Sequence, residues 1–108
     1  MLMVMIQTIE DGTKQPREEL EVLLFRIADG DKQALTELYD RTRGAVYAMA
    51  LSILKNVYDA QDITQDAFVQ IWDNAHRYRG QGSPMAWILT VTRNLAKMKL
   101  RRDTKLTD

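Results

Sequence analysis

The residues that begin and end helices constrain the fold of this sequence more than any other feature. The first periodic stretch, Glu18 to Ala28, repeats leucine and isoleucine every three or four residues and is followed by Gly30, a typical helix C-cap. Asp31 is then a suitable N-cap for a second helix that extends to about Leu54. Strand signals are weak throughout, so these helices predict an all-α fold.

Two further helices follow short connections. Asp59 is expected to cap a third helix from Ala60 to about Ala75. Ser83-Pro84 predicts the start of a fourth helix, extending to about Arg102, because proline is favoured at the first helical position. A polar loop, His76 to Gly82, separates them. Short connections favour packing between neighbouring helices, so we expect a compact bundle of four helices.

The sequence predicts that both ends of the chain lie outside the helical domain. We expect residues 1–16 to be a flexible lead-in, residues 17–102 to form the helical domain and residues 103–108 to be a C-terminal tail. The opening run MLMVMI has no basic flank and no cleavage-like site, and it is too short to span a membrane. We therefore expect a cytoplasmic protein without membrane insertion.

The scarcity of metal-binding and nucleophilic side chains excludes several classes of protein. The sequence has no cysteine and one histidine, His76, which rules out disulfides, thiol catalysis and a histidine-based metal site. The zinc-protease motif HExxH and the phosphate-binding motif GxxxxGK[ST] are also missing. We expect no metal and no cofactor.

The balanced net charge conceals a strong segregation. The 108 residues contain 15 basic and 15 acidic side chains. Residues 1–76 carry 7 basic and 13 acidic side chains, a net charge of −6, whereas residues 77–108 carry 8 and 2, a net charge of +6. Such asymmetry predicts partners of opposite sign at the two ends of the chain.

The third predicted helix separates an apolar arc from an acidic side. The acidic side contains no basic residue and comprises Asp59, Asp62, Asp66 and Asp73. A solvated face is one explanation, and a docking surface for a basic protein is another. A magnesium site at Asp62 and Asp66 for a phosphorylated substrate is a third, although no base, nucleophile or phosphate loop accompanies it.

The fourth predicted helix carries a basic ridge opposite an apolar arc. Arg93, Lys97 and Arg101 recur every four residues, and Asn94 beside them can both donate and accept hydrogen bonds toward a base. The expected apolar arc comprises Trp87, Ile88, Val91, Leu95 and Met98. The ridge is either a solvated stripe or a surface for nucleic acid.

The loop before this helix extends the positive patch. Arg77 and Arg79 flank Tyr78, which is expected to present an exposed ring, and cations interleaved with an aromatic suit single-stranded nucleic acid. Tyr78 covering the loop is the alternative. Trp72 and Trp87 are expected to anchor the core rather than stack on bases.

Three strings in the sequence resemble region two of bacterial sigma factors of the sigma-70 superfamily, most closely the extracytoplasmic-function group. They are DAQDITQDAFVQIW (Asp59–Trp72), RYRGQGSPMAWILTVTRNLAKMKLRR (Arg77–Arg102) and the upstream DKQALTELYDRTRGAVYAMALSIL (Asp31–Leu54). The resemblance covers about Leu20 to Arg102. In that family a linker leads on to a helix-turn-helix domain, so residues 103–108 would begin that linker.

The resemblance implies a domain without enzymatic activity that binds core RNA polymerase and recognises and melts the promoter minus-ten element. The basic clamp helices of the largest polymerase subunit would contact Asp59, Asp62, Gln65, Asp66 and Phe68. The non-template single strand of promoter DNA would contact Arg77, Tyr78, Arg79, Gly80, Gln81, Gly82, Ser83, Thr90, Arg93, Asn94, Lys97 and Arg101. An anti-sigma factor is a further implied partner. The alternative is a helical interaction module or regulator with a sigma-like fold that binds protein only.

Overall fold

The structure, a computed structural model, describes residues 19–107, and it contains four α-helices and no strand within that range. Helix α1 is described over 19–28, α2 spans Lys32–Leu54, α3 spans Val57–Asn74 and α4 spans Pro84–Thr107, with a 3₁₀ turn at Ala75–Arg77. Helices α2, α3 and α4 pack pairwise against one another. The predicted all-α bundle of four helices is confirmed, whereas the expected lead-in over 1–16 lies outside the described residues.

The junction between α1 and α2 forms as the sequence predicts. Gly30 has a φ of +90°, in the left-handed region that glycine adopts without strain, and the next N–H, that of Asp31, donates to the Arg26 carbonyl at 3.0 Å. The Asp31 carboxylate accepts hydrogen bonds from the N–H groups of Gln33 (3.0 Å) and Ala34 (3.2 Å) and so caps α2.

The start of α3 differs from the prediction. Asp59 is not the N-cap; the cap is Asn56, whose side-chain oxygen accepts from the Asp59 N–H at 3.0 Å, and the helix begins at Val57. Lys55 ends α2 in the left-handed region (φ 56°), which leaves Asn56 extended and free to cap the next helix. Asp59 therefore lies in the first turn of α3, where the helix dipole favours its negative charge.

Helix α4 begins where predicted but ends later. Ser83 Oγ accepts from the Ala86 N–H at 3.3 Å and caps the first turn. The expected end at Arg102 is wrong, because the helix continues to Thr107. No glycine or proline interrupts residues 103–107, and an ion pair between Lys99 and Asp103 (3.6 Å), one turn apart, supports the extension.

Apolar side chains from all four helices form the core. The apolar arc predicted on α3 is confirmed, with Trp72 half-buried at its edge. On α4 the prediction is wrong for Met98, which is 50% exposed, because Thr92 and Ala96 occupy the buried line of the helix instead. The largest buried apolar side chains include Leu23, Leu24, Ile27, Leu38, Val46, Ile63, Ile71 and Ile88.

Each of the three long helices also buries one threonine. The hydroxyls of Thr42, Thr64 and Thr92 donate to the carbonyl four residues earlier in their own helix, at 2.7, 2.7 and 3.0 Å. Among the described residues, no buried side-chain nitrogen or oxygen lacks a hydrogen-bond partner. Each of these three buried hydroxyls is therefore satisfied by its own helix.

Candidate functional site

The exposed side of α3 carries most of the predicted polymerase-binding residues. We define the acidic face as Asp62, Gln65, Asp66 and Asp73, all of which are exposed. Phe68 lies beneath it, only 6% exposed, and meets the Tyr39 ring of α2 edge-on at a centroid distance of 4.9 Å. Phe68 therefore supports the helix from below, and a partner would contact the polar side chains above it.

Asp59 stands apart from the acidic face. Its carboxylate is half-buried and lies 3.8 Å from the Lys99 ammonium of α4, which also approaches Asp103. In the part of the chain that the structure describes, Asp62 and Asp66 form no ion pair. The structure thus separates one carboxylate that ties two helices together from two that face solvent.

An apolar groove lies beside the acidic face, between α2 and α3. Its volume is about 530 Å³, and Gln65 belongs both to its wall and to the acidic face. Val69, in the same wall, is 59% exposed. The other lining residues are Lys32, Leu35, Thr36, Tyr39, Phe68 and Trp72. Helical periodicity along α3 cannot predict this groove, since half of its wall comes from α2.

The predicted basic ridge of α4 is exposed along its length. We define the basic face as Thr90, Arg93, Asn94, Lys97 and Arg101, all of which are solvent-exposed. Its three cations form no ion pair with any residue in the range 19–107. The Thr90 hydroxyl donates to the Ala86 carbonyl at 2.8 Å. The cations are therefore available to an anionic ligand without first breaking an internal salt bridge.

The loop before α4 turns on two glycines. Gly80 and Gly82 have φ angles of +77° and +78°, which other residues adopt only with strain. Arg79, Gln81, Gly82 and Ser83 are exposed and Gly80 is half-buried, while Arg77 is exposed in the preceding 3₁₀ turn. The structure thus brings the predicted loop residues to the surface around two backbone positions that favour glycine.

Tyr78 is the exception, and the prediction of an exposed ring there is wrong. Its residue is 4% exposed, and its ring packs between Phe25 of α1 and Trp87 of α4, each at a centroid distance of 5.9 Å. The hydroxyl lies 3.4 Å from Glu21 Oε2 and 3.3 Å from the Gly82 carbonyl oxygen, both of which accept hydrogen bonds. Tyr78 therefore covers the loop from inside and ties it to α1.

Two further properties of the described residues concern the magnesium-site alternative and membrane-spanning helices. Within residues 19–107, histidine and carboxylate side chains nowhere gather in a group of three or more that could hold a metal ion, so Asp62 and Asp66 have no third ligand there. None of the helices in the same range combines the length and hydrophobicity that a membrane span requires.

Comparison with known proteins gives a consistent set of matches. A family model described as Sigma-70 region 2 matches residues 38–106. The ECF RNA polymerase sigma factor SigK of Mycobacterium sp. (strain KMS) is 40% identical over 86 residues, which cover 79% of this chain and 45% of that protein. The ECF RNA polymerase sigma factors SigK of Mycobacterium bovis (strain BCG / Pasteur 1173P2) and Mycobacterium tuberculosis (strain ATCC 25618 / H37Rv) are each 33% identical over 91 residues, 83% of this chain and 49% of each relative. The chain spans about half the length of these relatives.

Proposed function

Since the chain belongs to the sigma-70 region 2 family, we propose that it joins core RNA polymerase to promoter DNA, and that it recognises and melts the minus-ten element. The family acts in transcription initiation without catalysis, and the chain is a sigma factor domain. The observation that carries the proposal is the pair of exposed surfaces of opposite charge on neighbouring helices, the acidic face of α3 and the basic face of α4. One domain can thereby hold a basic protein and an anionic nucleic acid at the same time.

The polymerase side of the proposal rests on the acidic face and the groove beside it. Asp62 and Asp66 present negative charge that no internal cation offsets among the described residues. Val69 and the groove add apolar surface next to it. A basic helix of the largest polymerase subunit would place its cations on the carboxylates and its apolar side chains in the groove, and complementary potentials of this kind favour a specific encounter.

The DNA side rests on the basic face and the loop. Arg93, Lys97 and Arg101 would contact successive phosphates, which positions the strand without reading its sequence. Asn94 lies among them, and its amide can read a base edge because it both donates and accepts hydrogen bonds. Extruding a base costs a few kcal/mol, and phosphate neutralisation together with contacts to the base would offset that cost. Melting then proceeds by binding free energy alone.

The same role places the protein in the cytoplasm, where RNA polymerase works. An anti-sigma factor that covers the acidic face would block polymerase capture by occupying the surface that the polymerase needs. This regulation is part of the proposal, and competition between such a factor and core polymerase for the chain would demonstrate it.

Polymerase capture tests the first surface. Replacing Asp62 and Asp66 by lysine juxtaposes like charges across the interface, which costs several kcal/mol, so capture of core polymerase should weaken by roughly 100-fold or more. Asp40→Lys reverses the charge of an exposed carboxylate on α2, outside the acidic face, and serves as the control for charge reversal itself. Equal capture by the wild type and the Asp62→Lys/Asp66→Lys variant would refute the polymerase-binding proposal.

Single-strand binding tests the second surface. A strand selected by the chain from a random single-stranded DNA pool should lose affinity steeply as salt rises. Replacing Arg93, Lys97 and Arg101 by alanine should reduce the log–log salt slope by roughly 2, about 0.7 for each phosphate that is no longer neutralised. Arg102→Ala removes an exposed cation outside the basic face and is the control.

Asn94→Ala should reduce the preference for the selected strand over a scrambled one. A protein-only module would show no salt-dependent binding of either strand.

A further inference from the structure

The exposed aromatic ring beside the 79–83 loop is Phe25 of α1. Phe25 is 42% exposed, whereas Tyr78, the aromatic within the loop region itself, is 4% exposed. The Phe25 ring packs on Tyr78 at a centroid distance of 5.9 Å with an interplanar angle of 39°. Its Cζ atom lies 3.7 Å from where a Cβ on Gly80 would be, so the ring reaches the turn of the loop. An exposed aromatic therefore borders the loop on the side of α1.

We propose that Phe25 is the platform on which one unstacked base of the promoter single strand stacks beside the 79–83 loop. The inference rests on the proposed function, and it adds a contact from a helix that precedes the residues matched by the family model, 38–106. Every base has a π-face, so base–aromatic stacking tolerates sequence variation and contributes affinity rather than base choice. Phe25 would thus hold a base while Asn94 discriminates among bases.

The charges around Phe25 favour a base over a phosphate at this position. Glu21, one turn earlier on α1, is half-buried and accepts from the Tyr78 hydroxyl, so its carboxylate faces the loop beside the ring. A carboxylate repels phosphate but can accept a hydrogen bond from an amino group on a base edge. Arg77, in the 3₁₀ turn before the loop, and Arg79, the first residue of the loop, are exposed cations that could neutralise the flanking phosphates. Exposed cations and an exposed aromatic around one loop suit the binding of an unstacked single strand.

The neighbouring rings are less suited to this role because each is committed to packing. Tyr78 lies between Phe25 and Trp87 and is buried. Trp87 is half-buried against the core. Phe25 is supported by Tyr78 behind it, which holds the ring in place and lowers the entropy lost when a base stacks on it.

Three substitutions of Phe25 test the proposal, with the selected single strand as the probe. Phe25→Ala removes the ring, Phe25→Leu keeps apolar bulk against Tyr78 without a π-face, and Phe25→Trp enlarges the π-face. Because stacking contributes about 1–3 kcal/mol per base, the alanine and leucine variants should bind roughly 5- to 150-fold more weakly, whereas tryptophan should retain wild-type affinity. Val22→Ala removes a side chain that is 53% exposed on the same helix and should leave binding unchanged.

An abasic scan of the same strand locates the stacked base. At one position, removal of the base should weaken wild-type binding and abolish the difference between wild type and Phe25→Leu. Leucine binding as tightly as phenylalanine, or equal losses at Val22 and Phe25, would overturn the inference while leaving the proposed function standing. Capture of core polymerase should be the same for all four variants. Failure of the wild type to bind any selected strand in a salt-dependent manner would overturn both proposals.

Discussion

The acidic face of α3 and the surface formed by the basic face and loop of α4 are supported in different ways. The acidic face lies on a regular helix whose opposite side is packed in the core, so the position of each carboxylate follows from helical geometry. The loop depends on the contacts that Tyr78 makes with Glu21 and Phe25 of α1, a helix more than 50 residues earlier in the sequence. One surface is therefore a property of a single helix, and the other is a property of the tertiary fold.

This difference predicts that changes in the interior will affect the two surfaces unequally. A substitution that loosens α1 or Tyr78 should disturb DNA contacts at the loop while leaving the acidic face in register on α3. Conversely, charge changes on α3 should weaken polymerase capture without moving the loop. Independent measurement of the two binding activities separates these cases.

The largest effect is expected at Tyr78. Tyr78→Ala removes a buried aromatic side chain and should lower the free energy of unfolding by about 3–5 kcal/mol. Tyr78→Phe keeps the ring but removes the hydroxyl near Glu21 and Gly82, which should cost about 0.5–1.5 kcal/mol. Urea denaturation measures both. The phenylalanine variant should weaken single-strand binding and preserve polymerase capture, and an equal loss of both activities would contradict the separation of the two surfaces.

A smaller effect on stability is expected at Lys99, which ties α4 to α3. Lys99→Met removes the ion pairs with Asp59 and Asp103 while keeping the apolar stem, and it should reduce stability by about 0.2–1 kcal/mol because all three groups are partly exposed. Since the structure ties Asp59 to Lys99, Asp59→Asn should change polymerase capture less than Asp66→Asn does. Greater sensitivity at Asp59 than at Asp66 would show that the docking surface reaches the seam with α4.

The smallest effect on stability is expected at Asp31. Its carboxylate accepts hydrogen bonds within the fold, whereas those of Asp62 and Asp66 face solvent. The hydrogen bond from the Arg26 side chain, followed by those from the Ala34 and Gln33 N–H groups, lowers the pKa of Asp31 below its ordinary value of 3.8. The stabilisation by the charged form is therefore complete above that value and is lost as pH falls through the lowered pKa. Asp31→Asn retains a capping oxygen but loses the charge.

Thermal unfolding at several pH values checks this prediction. The wild type should melt above Asp31→Asn at neutral pH, and the gap should close as the pH falls below about 4. A gap that stays constant across that range would show that the charge of Asp31 contributes nothing to stability.

Local features of the fold were predictable from the sequence, whereas features set by distant contacts were not. The family resemblance is confirmed by the family-model match over 38–106. Apart from the start of α3 and the end of α4, the helices and the exposed residues of both faces lie where periodicity predicts. Periodicity works because a helix fixes the angle between successive side chains. The roles of the predicted site residues in binding polymerase and DNA remain predictions.

The errors have two physical origins, local backbone conformation at the start of α3 and tertiary packing at Tyr78 and Met98. Asp59 was a plausible cap by residue type, but the left-handed Lys55 sets the chain direction so that Asn56 caps α3. The position of Tyr78 between Arg77 and Arg79 predicts an exposed ring, but α1 covers it from 57 residues away in the sequence. Met98 fits an apolar arc on α4, yet the packing of the neighbouring helices decides which part of that arc is buried.

The three buried threonines have a consequence for how this domain tolerates change. Because the hydroxyls of Thr42, Thr64 and Thr92 donate to carbonyls of their own helices, these hydrogen bonds do not align one helix against another. Axial alignment of the helices instead depends on the shapes of apolar side chains and on peripheral ties such as Asp59–Lys99. The interior can therefore be rebuilt with other apolar residues of similar volume, provided that these ties at the rim are kept.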